Sequence, residues 1–255
     1  MKIILLGTGT SCGVPQIGCK CDVCTSTDAR DKRLRCSALI ETEQTRILID
    51  CGPDFREQMI RLDDFRRIDA VLLTHIHYDH VGGIDDLRPF CKFGDVDMYA
   101  NKMTYNSLHN TMPYLFAEKK YPGIPQINLK CIEPHIPIRI GDMEIIPIVV
   151  MHGTLPIFGF RINDFAYITD MKTINDSELQ YLSGVKLLVV NALRHQFHPT
   201  HQTVEDAIAF ARRIGCKRNY FIHMSHHVGL HANEDKKLPD GFHFAYDGEI
   251  IEINN

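Results

Sequence analysis

Thr74-His75-Ile76-His77-Tyr78-Asp79-His80 follows directly on the apolar run Ala70-Val71-Leu72-Leu73. Three imidazoles and a carboxylate therefore sit within six residues at the end of what reads as a buried strand. The period-two geometry of an extended chain turns His75 and His77 to the same side. Asp79 and His80 then fall in the following turn. Neutral imidazole nitrogen and carboxylate oxygen suit zinc, manganese, iron or nickel, and two such pairs this close serve two adjacent ions. The competing reading is a polar corner with solvated histidines. The spacing H-x-H-x-D-H is far more restrictive than a lone His-x-His, which favours the metal.

On these residues the chain resembles the metallo-β-lactamase superfamily, whose signature is this H-x-H-x-D-H. The resemblance implies further ligands in order: a His after a later strand, an Asp at another strand end, and a His near the C-terminus. The sequence supplies His152 after Val149-Val150-Met151, Asp170 after Tyr167-Ile168-Thr169, and His223 after Tyr220-Phe221-Ile222. All three end apolar, β-branched or aromatic runs, where a rigid strand can hold a ligand. By the family pattern His75, His77 and His152 hold one ion, Asp79, His80 and His223 hold the second, and Asp170 bridges them. Two such ions acidify a water and clamp the oxygens of an attacked phosphoryl or acyl centre, so the implied reaction class is hydrolysis. The site type does not choose between lactams, thioesters, lactones, phosphodiesters and RNA.

A second constellation lies near the N-terminus. Cys19-x-Cys21-x-x-Cys24 places three thiols within six residues of a loop containing Gly18 and Pro15. A structural zinc takes four soft or borderline ligands in a closed tetrahedron, so a fourth comes from elsewhere. His226 in His223-Met224-Ser225-His226 is the best candidate, with His227, Cys12 and Cys36 as alternatives. Together with the opening Gly7-Thr8-Gly9-Thr10-Ser11, these motifs resemble the phosphoribosyl 1,2-cyclic phosphate phosphodiesterase (PhnP-like) branch. There the three cysteines and the late His hold a structural zinc, and the catalytic pair is manganese or zinc. The same resemblance matches His201, just before the helix at Val204, to a histidine that acts on the phosphoryl oxygen or the leaving group. His198 and His195 compete for that role, and imidazole suits proton donation near neutral pH.

The 255 residues, 44% of them hydrophobic, are enough for a full core, and one domain over residues 1–255 is expected. The apolar start Ile3–Leu6 is too short for an export signal, and no run reaches the length of a membrane span. A cytoplasmic protein with reduced thiols is the expectation, since nine cysteines is an odd number. A net charge of −4, from 28 basic and 32 acidic side chains, disfavours nucleic acid as a partner. A homodimer is implied by the resemblance alone.

Short apolar runs read as strands at Ile3–Leu6, Ser37–Glu41, Arg46–Asp50, Ala70–Leu73, Glu144–Val150, Phe158–Ile162, Phe165–Thr169, Leu187–Val190 and Tyr220–Ile222. Asn163-Asp164 and Asp247-Gly248 read as hairpin turns. Val204, Ala207, Ile208, Ala211 and Ile214 have helical spacing, entered through Thr203 with Asp206 three residues on and closed by Gly215. Pro53–Leu62 and Asp176–Leu182 are further helix candidates. The segment from about Asn101 to Pro137 is the least regular, and its Tyr105, Tyr114, Phe116 and Tyr121 read as packing residues with some prospect of touching substrate. The interleaving of strands and helices gives an α/β layered class, which the resemblance sharpens to an αββα four-layer sandwich.

The leading expectation is a dinuclear phosphodiesterase acting on a small cyclic phosphodiester such as 5-phosphoribosyl 1,2-cyclic phosphate. A metal-activated water attacks, with Asp79 in the metal machinery and His201 as general acid. The alternatives are a tRNA 3'-end endoribonuclease, a thioesterase or lactonase of the glyoxalase type, and a non-catalytic metal-binding sensor.

Overall fold

The computed structural model describes residues 1–253, so the last two residues of the expected 1–255 domain lie outside the described residues. Six strands in chain order open the fold: β1 (Lys2–Gly7), β2 (Ser37–Glu41), β3 (Arg46–Ile49), β4 (Ala70–Leu72), β5 (Val96–Ala100) and β6 (Ile127–Cys131). Seven more follow: β7 (Ile138–Ile140), β8 (Met143–His152), β9 (Leu155–Ile162), β10 (Phe165–Ile168), β11 (Leu187–Asn191), β12 (Arg218–Ile222) and β13 (Phe242–Phe244). The last, β14 (Glu249–Glu252), returns to the first sheet. The sheet orders are β14-β1-β2-β3-β4-β5-β6 and β13-β12-β11-β10-β9-β8-β7.

Alternation along each strand explains the layering. Ile3 and Leu5 of β1 join Ile40, Ile47, Leu72, Phe160, Tyr167 and Val189 in a core between the two sheets. Their neighbours Ile4 and Leu6 face the opposite side and pack with Leu48, Val71, Phe55 and Leu87. On the far side Ile168, Leu188 and Val190 pack against Val204, Ala207 and Phe210 of a helix. Three apolar layers between two sheets and two outer helical skins make the αββα sandwich, and they account for strands that are apolar on both faces.

Among the described residues six α-helices decorate the sheets: α1 (Asp22–Thr25), α2 (Phe55–Leu62), α3 (Tyr78–Val81), α4 (Lys102–Thr111), α5 (Val204–Ile214) and α6 (His231–Glu234). The capping signal of α5 is realised in full. Thr203 Oγ1 accepts from the Asp206 amide at 3.1 Å, the Asp206 carboxylate accepts from the Thr203 amide at 3.1 Å, and Gly215 closes the helix at φ 73°.

Three expectations are revised. Asp79 and His80 lie in the short helix α3 rather than a plain turn. Asp247-Gly248 is a turn but not a hairpin, because β13 pairs with β12 in one sheet and β14 with β1 in the other. The Asp247 carboxylate is drawn inward by the Thr8 amide, the Thr8 hydroxyl and the Leu34 amide, at 2.9, 2.8 and 2.6 Å. The stretch 101–137 holds α4 and β6, so it is more regular than its prolines suggested. Tyr105 and Phe116 pack on His109, at ring distances of 4.5 and 4.3 Å, and Tyr114 donates to Asp85.

The fold brings strand ends to one place. β3 runs parallel to β4, and β10 parallel to β11 and β12. The carboxyl ends of parallel neighbours emerge on the same edge, where ligands collect in α/β sheets. Asp50, Asp170 and His223, the residues after β3, just beyond β10 and after β12, have positive φ of 58°, 59° and 57°. That left-handed bend turns each side chain off the strand line, a conformation that Asp and His adopt more readily than most residues.

Candidate metal centre

Seven histidines and aspartates predicted from widely spaced parts of the chain come together in two overlapping groups. His75, His77, His152 and Asp170 form one, and Asp79, His80, Asp170 and His223 form the other; within each, the candidate ligand atoms all lie within 4.8 Å of one another. Asp170 belongs to both.

The distances fit a cation better than a hydrogen-bond network. Ligand bonds of about 2.1 Å place neighbouring ligand atoms about 3.0–3.4 Å apart around one ion. His75 Nε2 and His77 Nδ1 are 2.9 Å apart, His80 Nε2 lies 3.2 Å from Asp79 Oδ2 and 3.4 Å from Asp170 Oδ1, and His223 Nε2 lies 3.2 Å from Asp170 Oδ1. His80 Nε2 and His223 Nε2 are buried with no hydrogen-bond partner. A buried imidazole nitrogen without a partner is costly unless a cation takes its lone pair.

The outer nitrogens are held by groups the sequence reading did not single out. The Asp50 carboxylate, fully buried, accepts from the Thr74 amide at 2.8 Å, the Thr74 hydroxyl at 2.9 Å and His80 Nδ1 at 2.7 Å. The Thr74 hydroxyl in turn accepts from His75 Nδ1 at 3.0 Å. The Thr200 carbonyl accepts from His152 Nδ1 at 2.9 Å. With protons on Nδ1, all three imidazoles present bare Nε2 atoms to the centre. Asp50 was legible in principle, since Ile47-Leu48-Ile49-Asp50 repeats the pattern of a polar residue ending an apolar strand.

The electrostatics are those of a carboxylate-rich pocket. Burial disfavours charge on His80, yet Asp170, Asp50 and Asp79 outweigh it and raise its pKa well above the ordinary value. Burial likewise opposes charge on Asp170, but His223 and His80 hold it well below the usual carboxylate range. His75 is driven well below its ordinary value by burial and by His80. The donor set of imidazoles and carboxylates suits divalent cations, and their charge would balance Asp50, Asp79 and Asp170.

His201 stands against this group, its ring 4.8 Å from His223 and 4.6 Å from His152. It is 8% exposed and its Nδ1 has no partner. Burial, and after it His223, lowers its pKa to about 2, so the imidazole is neutral at physiological pH in the free protein. The two competing histidines separate. His195 Nδ1 is 2.8 Å from Glu205, and its Nε2 is 3.7 Å from Glu234, which ties it to α5 and α6. The His198 ring lies 5.0 Å from His201.

The thiol cluster also assembles. Cys19, Cys21, Cys24 and His226 offer ligand atoms within 4.8 Å of one another, with His226 Nδ1 3.3 Å from Cys21 Sγ and 3.5 Å from Cys19 Sγ. Those separations match a tetrahedral ion with Zn–S bonds of about 2.3 Å. Of the alternatives, Cys36 is buried elsewhere and donates to the Gly9 carbonyl, while the His227 ring lies 4.1 Å from that of His226, tilted by 35°. Gly7 meets the Arg35 carbonyl so closely that a Cβ would lie 2.0 Å from it, so this part of the glycine loop serves close chain approach.

Comparison with known proteins gives four results. The model of the β-lactamase superfamily domain matches residues 45–224. A diphosphatase of the PhnP family superposes with a TM-score of 0.91 and 37% identity, over 99% of this chain and 98% of that one. Zinc-bound PqqB from Methylobacterium extorquens shares the fold, with a TM-score of 0.81 and 19% identity over 99% of this chain and 100% of that one. An octanoyltransferase of Porphyromonas gingivalis is 45% identical over 250 residues, which is 97% of this chain and 51% of that protein. The chain thus spans about half the length of that curated relative.

Proposed function

The chain belongs to the β-lactamase superfamily, on its PhnP-family branch, and from that premise we propose that it is a two-metal phosphodiesterase. Its substrate is a small phosphodiester, with 5-phosphoribosyl 1,2-cyclic phosphate as the representative. The observation that carries the reading is the pair of ligand groups sharing Asp170, one wholly buried and the other open to solvent at His77. The PhnP-family relative with 37% identity is a diphosphatase, which supports phosphoryl over acyl chemistry.

In this proposal His75, His77 and His152 hold one ion, Asp79, His80 and His223 the other, and Asp170 both. Manganese or zinc fits this donor set. Bound there, two divalent ions would acidify a water and neutralise a phosphoryl oxygen. Asp50 fixes His80 through its Nδ1–H, and through Thr74 it steadies His75. His201, neutral in the free protein, donates an N–H to the substrate; an anionic phosphate beside it favours the charged ring, so it takes up a proton from solvent and passes that proton to the leaving oxygen, returning to the neutral imidazole. Cys19, Cys21, Cys24 and His226 hold a structural zinc that ties the N-terminal loop to the segment after β12. Among the described residues no helix is long and apolar enough to cross a membrane.

The name octanoyltransferase belongs to a protein about twice this length. It motivates one rival, hydrolysis of an acyl thioester at the same centre. The test is phosphorus NMR of 5-phosphoribosyl 1,2-cyclic phosphate with manganese-loaded protein, run beside an octanoyl thioester assay and an Asp79→Ala control. Metal-dependent ring opening that Asp79→Ala abolishes, with the fold retained, is expected. Thioester cleavage without ring opening would replace the reading with the acyl one.

A further inference from the structure

The loop that carries His201 also carries groups the hydrolysis does not use. Phe197 is 72% exposed, and Lys172 Nζ lies 4.8 Å over its ring. Arg194 donates to the Gln196 and Phe197 carbonyls at 3.3 and 3.0 Å, and among the described residues it pairs with no carboxylate. His198 Nδ1 accepts from the Thr200 amide at 3.3 Å, which turns its Nε2 away from the loop backbone. Lys172 reaches Asp206 at 3.4 Å, a loose contact on a carboxylate side chain that is 49% exposed. From the metal centre the rings run in sequence, His152 to His201 at 4.6 Å and His201 to His198 at 5.0 Å.

We propose that Lys172, Arg194, His198 and Phe197 form a subsite for the leaving half of the substrate, and that this half is a nucleotide. The assignment rests on the phosphodiesterase reading above. A proton from His201 reaches the leaving oxygen, so the leaving half must lie on the His201 side of the centre. What waits there is cationic and aromatic: Lys172 and Arg194 for a second phosphate, with His198, whose pKa burial and Arg194 hold below the ordinary value, as an uncharged hydrogen-bond partner, and the open face of Phe197 for a flat base. The reaction is hydrolysis of a nucleoside diphosphate derivative. The oxygen of water joins the phosphorus held by the metals, the phosphorus–oxygen bond to the nucleotide breaks, and the departing phosphate oxygen takes the proton through His201.

The test is calorimetric titration of zinc-loaded full-length protein with ADP, AMP and inorganic phosphate, for wild type, Lys172→Ala and Phe197→Ala. Hydrolysis of bis(p-nitrophenyl) phosphate is followed in parallel. ADP should bind wild type more tightly than phosphate does. Each variant should weaken ADP about tenfold while the affinity for inorganic phosphate, which has no leaving half, stays within about twofold. ADP binding no tighter than phosphate, or variants that leave ADP affinity unchanged, would overturn the subsite even if the diester is cleaved. No cleavage of any phosphodiester, with the ADP pattern intact, would instead sink the catalytic reading and leave a nucleotide-binding site.

Discussion

Asp50→Asn is the sharpest probe of how the centre is held. The wild-type carboxylate accepts three hydrogen bonds, two from Thr74 and one from His80. An asparagine of the same shape keeps one acceptor oxygen and gains an NH2 group, which only donates. If the NH2 faces the Thr74 amide, two donors collide. If it faces His80, the imidazole must bare Nδ1, and its proton moves to Nε2, the atom aimed at the centre. Either way a charge-assisted bond is lost, at roughly 1.5–3 kcal/mol. With about 1.36 kcal/mol per decade, that is roughly a ten- to hundredfold loss, in line with the effect of other outer-shell partners. Thr74→Val removes the hydroxyl that donates to Asp50 and accepts from His75 but leaves the Asp50 carboxylate on His80, and should cost about threefold to tenfold, from roughly 0.5–1.5 kcal/mol. Zinc affinity by competition with a chromophoric chelator and kcat/KM for bis(p-nitrophenyl) phosphate would measure both, with far-ultraviolet circular dichroism to check the fold. Asp50→Asn with wild-type affinity and rate, or Thr74→Val more damaging than Asp50→Asn, would refute the relay.

Three other outcomes follow from geometry. Cys21→Ser should lower the zinc content by about one ion per chain and reduce Tm, read by atomic emission and differential scanning calorimetry; unchanged stoichiometry would remove the thiol site. At Gly52→Ala the new Cβ would lie 2.0 Å from the Asp79 carbonyl, so the variant should lose about 1–3 kcal/mol in urea unfolding, and an unchanged midpoint would contradict that packing. Burial raises the Glu249 pKa from 4.5 to about 7. The folded state therefore holds this proton more tightly, and its stabilisation, complete below about pH 4.5, is lost as pH rises through 7. Glu249→Gln should gain Tm relative to wild type between pH 5 and 8, and a difference constant across that range would refute the shift.

The sequence was most legible where chemistry and periodicity coincide. The H-x-H-x-D-H run and the three cysteines were nameable because scarce residue types recur at restrictive spacing, whereas the three later strand-end ligands were nameable only through the family resemblance. The helix at Val204 was legible to the residue because its cap, its apolar face and its terminal glycine all agree. Weaker strands escaped. Ile127–Cys131 is a mostly exposed sheet edge, and Phe242–Phe244 is too short to show alternation. Asp50 escaped for another reason: an acid after an apolar strand is common, and only the approach of His80 from 30 residues away in sequence gives it a role. The Asp247-Gly248 turn misled because turn chemistry is local, whereas the pairing of the strands on either side is decided by distant partners.

The left-handed backbone at Asp50, Asp170 and His223 sets function against stability. A non-glycine residue in that region costs of order 1–3 kcal/mol, with Asp and His nearer the low end. Three of them together draw about 3 kcal/mol from a fold whose total margin is about 5–15 kcal/mol. Glycine at Asp170 would relieve that stress, yet it would strip buried His80 and His223 of the carboxylate that faces them at 3.4 and 3.2 Å, a loss that outweighs the roughly 1 kcal/mol regained. The bent backbone is thus held by the charges it gathers, and a screen for heat resistance alone would not shed it.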